Sequence, residues 1–252
     1  QGRDEVLVNL TSGLSFGLGV PSTIHRCLYL DWEFEPEDHA LRMRLLARGD
    51  EAQQGVSIGY KRCTAPITEM VDELLRDKKT HDIGFFIADS ALLACGGEPE
   101  KADTVRRMFQ AIRRIGGTWL MIAHQTKGEE SDKPFGSVFF FNAARNIWKV
   151  IRAQEEGEDS FHVMLKHTKS NSSRLEKPIG LSLTFGLEAI TIQRADLADV
   201  PQLAKKLSLS DQMAHALRSE AKTINALAAE LGKNYDTLYV TFQRQEKRRF
   251  IK

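Results

Sequence analysis

The sequence predicts an α/β protein with a mostly parallel sheet flanked by helices and a small helical module at its C-terminal end. Apolar runs at 83–88 and 118–123 each end in polar residues, and a helical pattern lies between them, which is typical of neighbouring parallel strands. After residue 208 the pattern becomes purely helical. We therefore expect a core at 1–195, a connector at 196–208 and a module at 209–252.

The elements of the core follow from spacing and from helix signals. In chain order we expect strands at 5–8 and 27–33, helices at 36–47 and 67–75, a strand at 83–88, a helix at 101–115 and a strand at 118–123. Pro36 and acidic residues open the first helix, where the helix dipole favours them. Gly116-Gly117 ends the last helix, so residues 83–123 form a βαβ unit with an expected right-handed crossover.

The second half of the core has antiparallel character. Residues 144–153 and 160–167 have strand patterns around the turn-forming segment 155–159, and a hairpin at 181–185 and 189–193 turns at Gly186. We expect these strands to continue the same sheet, which therefore ends antiparallel.

Three short helices are predicted in the terminal module, at 210–219, 223–231 and 234–247, with Gly232 between the last two. Thr223 as a helix cap, followed by an apolar helix and the turn before Asn234, is a helix-turn-helix signature. Phe250-Ile251 could begin a wing strand. A winged-helix or helix-turn-helix fold is therefore expected here.

Composition restricts the possible classes. The formal net charge of +1 gives no polyanion signal for the whole chain, so any nucleic-acid surface must be local. Cys27, Cys63 and Cys95 lack metal-ligand spacing, and their odd number argues against a disulfide framework. No apolar run approaches the about twenty residues of a membrane span, and the first residues have no signal-peptide pattern. We expect a cytoplasmic protein without a membrane partner.

The candidate chemistry lies at the ends of the two strands of the βαβ unit. Asp89 ends the first strand and His124-Gln125 follow the second. Ligands of open α/β sheets bind outside the carboxyl ends of the strands, so these side chains are expected to share one crevice. An Asp that ends a buried strand is the usual Mg²⁺-holding residue of a nucleotide triphosphatase. A plain turn cap at Asp89 and a core histidine at 124 are the structural alternatives.

Five segments in the same order resemble the RecA-like ATPases of the RepA hexameric helicase type, over roughly residues 5–193. They are Leu28-Tyr-Leu-Asp-Trp-Glu33, Phe85-Phe-Ile-Ala-Asp-Ser90, Ala123-His-Gln-Thr-Lys127 with Gly136-Ser137, Ala144-Arg-Asn-Ile-Trp148, and Leu165-Lys-His-Thr-Lys-Ser-Asn171. The resemblance implies ATP and Mg²⁺ as cofactors and a homo-oligomer, a hexameric ring, as the assembly. It also implies action on single-stranded DNA.

The resemblance assigns roles to particular residues. Asp89 looks like the Walker B carboxylate that holds Mg²⁺, with Ser90 beside it in the nucleotide site. Glu33 is similar to the catalytic glutamate that orients water, and His124 or Gln125 to the sensor of the γ-phosphate.

Other residues of the resemblance act on DNA or on a neighbouring subunit. Lys127 belongs to a loop that would line the channel of the ring. Lys166 and Lys169 resemble the basic pair that one subunit offers to the γ-phosphate bound by its neighbour, and Arg145 is a weaker candidate for the same role. The two lysines could instead be ordinary surface residues on a strand edge.

The phosphate-binding loop of the family is missing from the sequence. No G-x-x-x-x-G-K-[ST] motif lies between the first strand and the first helix, where Gly13, Gly17 and Gly19 lack the lysine and the hydroxyl. Either the chain is a degenerate ATPase, or the loop belongs between Val8 and Asn9 and is absent from this sequence. We expect the second, because a strand cannot pass directly into the helix that begins at Asn9.

The last helix carries the predicted DNA contacts. We expect groove contacts from Tyr235, Thr237, Tyr239 and Gln243 and phosphate contacts from Arg244, Lys247 and Arg248. A basic helix end that is only stabilised by the dipole is the structural alternative. The expected function is an ATP-driven motor on single-stranded, and possibly double-stranded, DNA during replication of a plasmid, phage or mobile element. The alternatives are an inactive DNA-binding scaffold and a recombination or loading ATPase without unwinding activity.

Overall fold

Two four-stranded sheets organise the part of the chain that the computed structural model describes, which is residues 26–49, 58–125 and 134–251. The parallel sheet contains β1 (Cys27–Asp31), β2 (Gly59–Arg62), β3 (Phe85–Asp89) and β4 (Thr118–Ile122), in the order β2-β1-β3-β4. The antiparallel sheet contains β5 (Asn146–Ala153), β6 (Ser160–Ser170), β7 (Ile179–Phe185) and β8 (Ile190–Arg194), in chain order. The predicted α/β class is confirmed.

The arrangement of the sheets corrects one expectation. We predicted a single sheet that ends antiparallel, but within the described ranges no ladder joins β5–β8 to the parallel strands. The physical reason is that β5 to β8 pair with their neighbours in sequence, so their hydrogen-bonding partners are found locally.

Nine α-helices and one short 3₁₀ turn are present in the described residues. They are α1 (Pro36–Gly49), α2 (Val71–His81), α3 (Ala91–Ala94), α4 (Ala102–Ile115), α5 (Val138–Ala143), the 3₁₀ turn Leu197–Asp199, α6 (Pro201–Ala204), α7 (Leu209–Ala216), α8 (Ile224–Leu231) and α9 (Tyr235–Gln245). In this part of the chain, no helix combines the length and the apolar character needed to cross a bilayer. The helix predicted from Ile67 begins at Val71, because Met70 N–H closes a turn onto the Ile67 carbonyl, at 3.1 Å.

The alternation of side chains along β1 and β3 creates two different faces of the parallel sheet. Leu30 and Phe86 are fully buried in the main core, which also takes the apolar side of α4. Tyr29 and Ile87 belong to a smaller cluster on the opposite face. Asp31 lies two positions after Tyr29, and Asp89 two positions after Ile87. Because side chains alternate along a strand, both aspartates lie on the same face of the sheet as Tyr29.

The βαβ unit of β3, α4 and β4 is confirmed. Gly116 and Gly117 have φ values of 68° and 85°, a backbone conformation that favours glycine and ends α4. The parallel register places Asp31 opposite Asp89, and Asp89 opposite Ile122. The carboxyl ends of β1, β3 and β4 are therefore level with each other.

Helix α1 connects the two sheets. Its Leu46 packs against Ile190 of β8 in a shared apolar cluster. At Gly49 the helix comes so close to β8 that an added Cβ atom would lie 1.8 Å from the Ile190 carbonyl oxygen. Only glycine permits this approach, so the end of α1 is fixed against the antiparallel sheet.

Helices α7, α8 and α9 share a small core of their own, with Met213, Leu227, Leu238 and Phe250 buried together. Thr223 caps α8 by accepting the Ala226 N–H at 3.2 Å, and Gly232 ends that helix with φ of 60°. After α9 the described chain makes one bridge between Glu246 and Phe250, and no wing strand follows.

The connector is more ordered than a polar linker. Leu197 and Leu203 are buried in a cluster with Ala153 and Met164 of the antiparallel sheet. The connector therefore packs on the core, although the two domain boundaries stay predictions.

Candidate functional site at the carboxyl edge of the parallel sheet

Two of the predicted site residues meet at the carboxyl edge of the parallel sheet. Glu33 lies two residues beyond β1 and His124 two residues beyond β4. The His124 Nε2 atom is 3.4 Å from the Glu33 Oε1 atom. An imidazole and a carboxylate at this distance attract each other when the histidine is protonated. The structure therefore brings together two side chains that are 91 positions apart in the sequence.

Asp89 lies in the middle of this edge and is completely buried. The Tyr29 hydroxyl donates a hydrogen bond to its Oδ2 atom at 2.8 Å. Its backbone carbonyl accepts the Trp32 N–H at 2.7 Å, and thereby joins the end of β3 to the residue before Glu33. The peptide bond from Asp89 to Ser90 is cis. Side chain and backbone of Asp89 are thus both fixed by residues of the β1 segment.

Ser90 shares the burial of Asp89, and its Oγ atom has no hydrogen-bond partner within the described ranges. A buried hydroxyl normally forms a hydrogen bond, so this atom fits a site that takes a further ligand. Carboxylate and hydroxyl oxygens are among the ligands that Mg²⁺ binds in proteins. The donor set at Asp89 and Ser90 therefore fits the predicted metal.

Asp31 holds the turn that carries Glu33. Its Oδ1 atom accepts the backbone N–H groups of Glu33 and Phe34, each at 2.9 Å. Its Oδ2 atom accepts the Tyr60 hydroxyl at 3.3 Å. Asp31 begins an acidic stretch that also contains Glu33, Glu35, Glu37 and Asp38. It is 1% exposed, so it is a buried side chain of the site and not a solvated member of this stretch.

The two tyrosines that donate to the aspartates, Tyr29 and Tyr60, both pack against the ring of His39. The His39 ring of α1 lies 4.6 Å from the ring of Tyr29 and 4.9 Å from that of Tyr60, measured between centroids. Burial and the neighbouring carboxylate of Asp31 raise the pKa of Tyr60. The Tyr60 hydroxyl therefore stays protonated at neutral pH and can donate to Asp31.

The segment after β4 returns to the site. The His124 carbonyl accepts the Phe135 N–H at 2.7 Å, and Gln125 forms a bridge with Pro134. Gln125 is exposed. Lys127, the predicted channel residue, lies outside the described residues, and so do the predicted strand at 5–8 and the junction between Val8 and Asn9. Those three predictions stay predictions.

The two predicted lysines have different surroundings. The Lys169 ammonium donates to the carbonyls of Phe141, Asn142 and Ala144 at 2.6, 3.1 and 2.7 Å, at the C-terminal end of α5. A cation at this end of a helix is favoured by the dipole. Lys166 is half-buried and lies opposite Lys149 in the ladder of β5 and β6. In this chain Lys169 has a structural contact that a role towards a neighbour would have to break.

The predicted DNA residues lie on the surface of α9 and directly after it, because the helix ends at Gln245 and not at Lys247 as predicted. The rings of Tyr235 and Tyr239 stack with centroids 5.9 Å apart, and both side chains are exposed, at 45% and 40%. The exposed set also contains Thr237, Gln243, Arg244, Lys247 and Arg248. No ion pair with a described residue involves these three basic side chains, whereas the adjacent Arg249 is held by Asp211 at 2.6 Å.

Sequence reasoning missed three residues of the site, namely Asp31, Tyr29 and Tyr60. A signal for Asp31 was present, because it ends an apolar run in the same way as Asp89 does. The tyrosines gave no signal, since their hydroxyls reach the aspartates only through the pairing of β1 with β2 and β3.

The cysteines take no part in this site. Cys27, Cys63 and Cys95 are buried and free. Burial raises the pKa of Cys27 and Cys63 to about 12, so these two thiols stay protonated.

No protein-family model matches this chain, and no curated protein matches it.

Proposed function

We propose that this protein is an ATP-driven, DNA-associated motor of the RepA-type helicase class, built on a RecA-like core. The observation that carries the proposal is the contact of Glu33 with His124, beside the buried Asp89, at the carboxyl edge of a parallel sheet. Ligands of such sheets bind at this edge. The combination of a buried metal-holding carboxylate, a second carboxylate and a polar side chain on the next strand suits phosphoryl transfer to water.

In the proposed mechanism each residue has one task. Asp89 and Ser90 would hold Mg²⁺, which would neutralise charge on the phosphates. Glu33 orients the attacking water and accepts its proton. His124, which already touches Glu33, changes this contact when the γ-phosphate leaves and transmits the change to the segment that follows β4.

The proposal includes a homo-oligomeric ring in which a lysine of one subunit serves the site of the next. Lys166 suits this task better than Lys169, because the Lys169 ammonium is engaged by three carbonyls of its own chain. A cation beside the transferred phosphoryl group stabilises the charge of the transition state.

Contact with DNA is proposed for the exposed surface of α9 and for the basic residues that directly follow it. We expect the double variant Arg244→Ala, Arg248→Ala to bind DNA more weakly, because each arginine is expected to neutralise one phosphate. Fluorescence anisotropy with single-stranded and duplex oligonucleotides over a salt series measures the effect. The slope of log K against log salt should fall by about 2 in magnitude.

The charge-matched control for this experiment is Arg106→Ala, Arg107→Ala on α4. Both side chains are exposed, and Arg106 pairs with Asp103 at 3.0 Å. This variant should keep the affinity and the slope of the unchanged protein. An equal loss in both variants would show only a general effect of charge and would contradict a DNA surface on α9.

A catalytically inactive DNA-binding scaffold is the second candidate, and the missing phosphate-loop motif favours it. The intact mass of the natural protein, compared with 28.4 kDa for this chain, separates the two. A larger mass with Mg²⁺-dependent ATP hydrolysis supports the motor. A mass of 28.4 kDa without hydrolysis supports the scaffold. If ATP is hydrolysed but a strand-displacement assay shows no unwinding, a recombination or loading ATPase is the better description.

A further inference from the structure

Asp31 combines burial with a complete set of hydrogen bonds. The side chain is 1% exposed, and it accepts two backbone N–H groups and one tyrosine hydroxyl. One of these N–H groups belongs to Glu33 and the other to Phe34, so the carboxylate holds the backbone on both sides of the Glu33 carbonyl group. Hydrogen bonds from amides to a carboxylate are stronger than those between neutral groups.

The rest of the turn is fixed at the residue before Glu33. Trp32 donates its backbone N–H to Asp89 at 2.7 Å and its indole N–H to the Ala65 carbonyl at 2.9 Å. Trp32 is 9% exposed. Glu33 therefore lies in a turn whose preceding residue is anchored to the sheet and whose own amide is anchored to Asp31.

A turn that served only to end β1 would not need this arrangement. An Asp that accepts N–H groups two and three residues later is a common turn cap in solvent, where water can replace it. Here the capping residue, Asp31, is buried, and its second oxygen accepts the hydroxyl of Tyr60 on the neighbouring strand. The residue whose amide it holds, Glu33, contacts His124 after the end of β4.

We propose that Asp31 is a positioning residue that, together with Tyr60, fixes the orientation in which Glu33 directs a water molecule at the phosphate. The inference rests on the proposed ATPase function. Asp31 does not touch the reacting atoms in this role; it restricts Glu33 to the position from which the carboxylate can orient water. A small misplacement of such a group costs up to about 10²-fold in rate.

The test uses the full natural protein and its variants Asp31→Asn, Asp31→Ala and Tyr60→Phe. In steady-state ATP hydrolysis we expect Asp31→Ala to lower kcat by about 10²-fold with little change in KM. Asp31→Asn keeps one carbonyl oxygen for the two amides and should restore part of the lost kcat. Tyr60→Phe removes only the hydroxyl and should lower kcat by a smaller factor, about 3- to 10-fold.

Two further measurements separate positioning from stability. Binding of a fluorescent ATP analogue should be unchanged in all three variants, and thermal unfolding shows how much of each variant is folded. Asp38→Asn is the matched control, because Asp38 belongs to the same acidic stretch but is exposed on α1. It should hydrolyse ATP like the unchanged protein.

The outcomes separate the two claims. If the unchanged protein does not hydrolyse ATP, the proposed function fails and the role of Asp31 fails with it. If the unchanged protein is active and the folded variants keep its kcat, or lose kcat only in proportion to their folded fraction, the positioning role alone is overturned. Tyr60→Phe decides the question where substitutions of Asp31 prevent folding.

Discussion

Replacing Glu33 by glutamine is expected to lower kcat for ATP hydrolysis by about 10²- to 10⁴-fold, the usual contribution of a general base. Glutamine keeps the size of the side chain and its contact distance to His124, but it cannot accept a proton from water. The affinity for ATP should stay nearly unchanged, because the residue acts on water and not on the nucleotide. Single-turnover hydrolysis together with equilibrium nucleotide binding measures both quantities.

Glu35→Gln is the control for this experiment. Glu35 lies two positions further along the same acidic stretch, is 65% exposed in its side chain and pairs with Arg62 at 3.3 Å. An exposed pair of this kind contributes little, so we expect wild-type kinetics. A Glu33→Gln variant with full activity would remove Glu33 from the mechanism. A similar loss of kcat in both variants would show that hydrolysis depends on the total negative charge of this stretch and not on Glu33 as a general base.

Replacing Phe86 by alanine is expected to lower the free energy of unfolding by about 3–5 kcal/mol. Phe86 is fully buried in the main core, between the parallel sheet and its helices. Its ring stacks on Trp119 of β4 with 4.5 Å between centroids and 12° between planes. Truncation would leave a cavity there and remove the stacking contact that joins β3 to β4. Urea unfolding followed by tryptophan fluorescence and circular dichroism measures the change.

Phe139→Ala is the matched control, since it removes the same atoms from a side chain that is 42% exposed at α5. Its effect should be much smaller than that of Phe86→Ala. An equal loss at both positions would show that the parallel sheet does not contribute the main core. Because the stability of a domain is typically about 5–15 kcal/mol, Phe86→Ala should also lower the yield of folded protein.

Local patterns predicted most of the fold. The limits of β3, α4 and β4 differ from the prediction by at most two residues, since each has strong periodicity and Gly116 marks the end of α4. Strand β2 was missed because Gly59–Arg62 is short and polar, and only its pairing with β1 makes it a strand. The division into two sheets depends on pairing between distant segments, which local patterns do not contain.

The candidate site was predicted to a similar degree. Glu33 and His124 were found because each follows a strand, and the parallel order of these strands makes their ends neighbours. The role of Asp31 was missed: its place at the end of an apolar run indicated burial, but the sequence does not show that its carboxylate accepts the N–H groups of Glu33 and Phe34. The contacts of Lys169 were hidden as well, because its partners are carbonyls of a helix 25 to 28 positions away.

Helix α1 contacts both the carboxyl edge of the parallel sheet and the antiparallel sheet. Its first half places His39 against the rings of Tyr29 and Tyr60, whose hydroxyls donate to the two aspartates, and its last residue, Gly49, lies against β8. Its 14 residues correspond to a length of about 21 Å. A displacement of the rings when a ligand binds at the carboxyl edge would be carried along this rigid rod to the antiparallel sheet. The carboxyl edge of the parallel sheet and strand β8 therefore share contacts with one and the same helix.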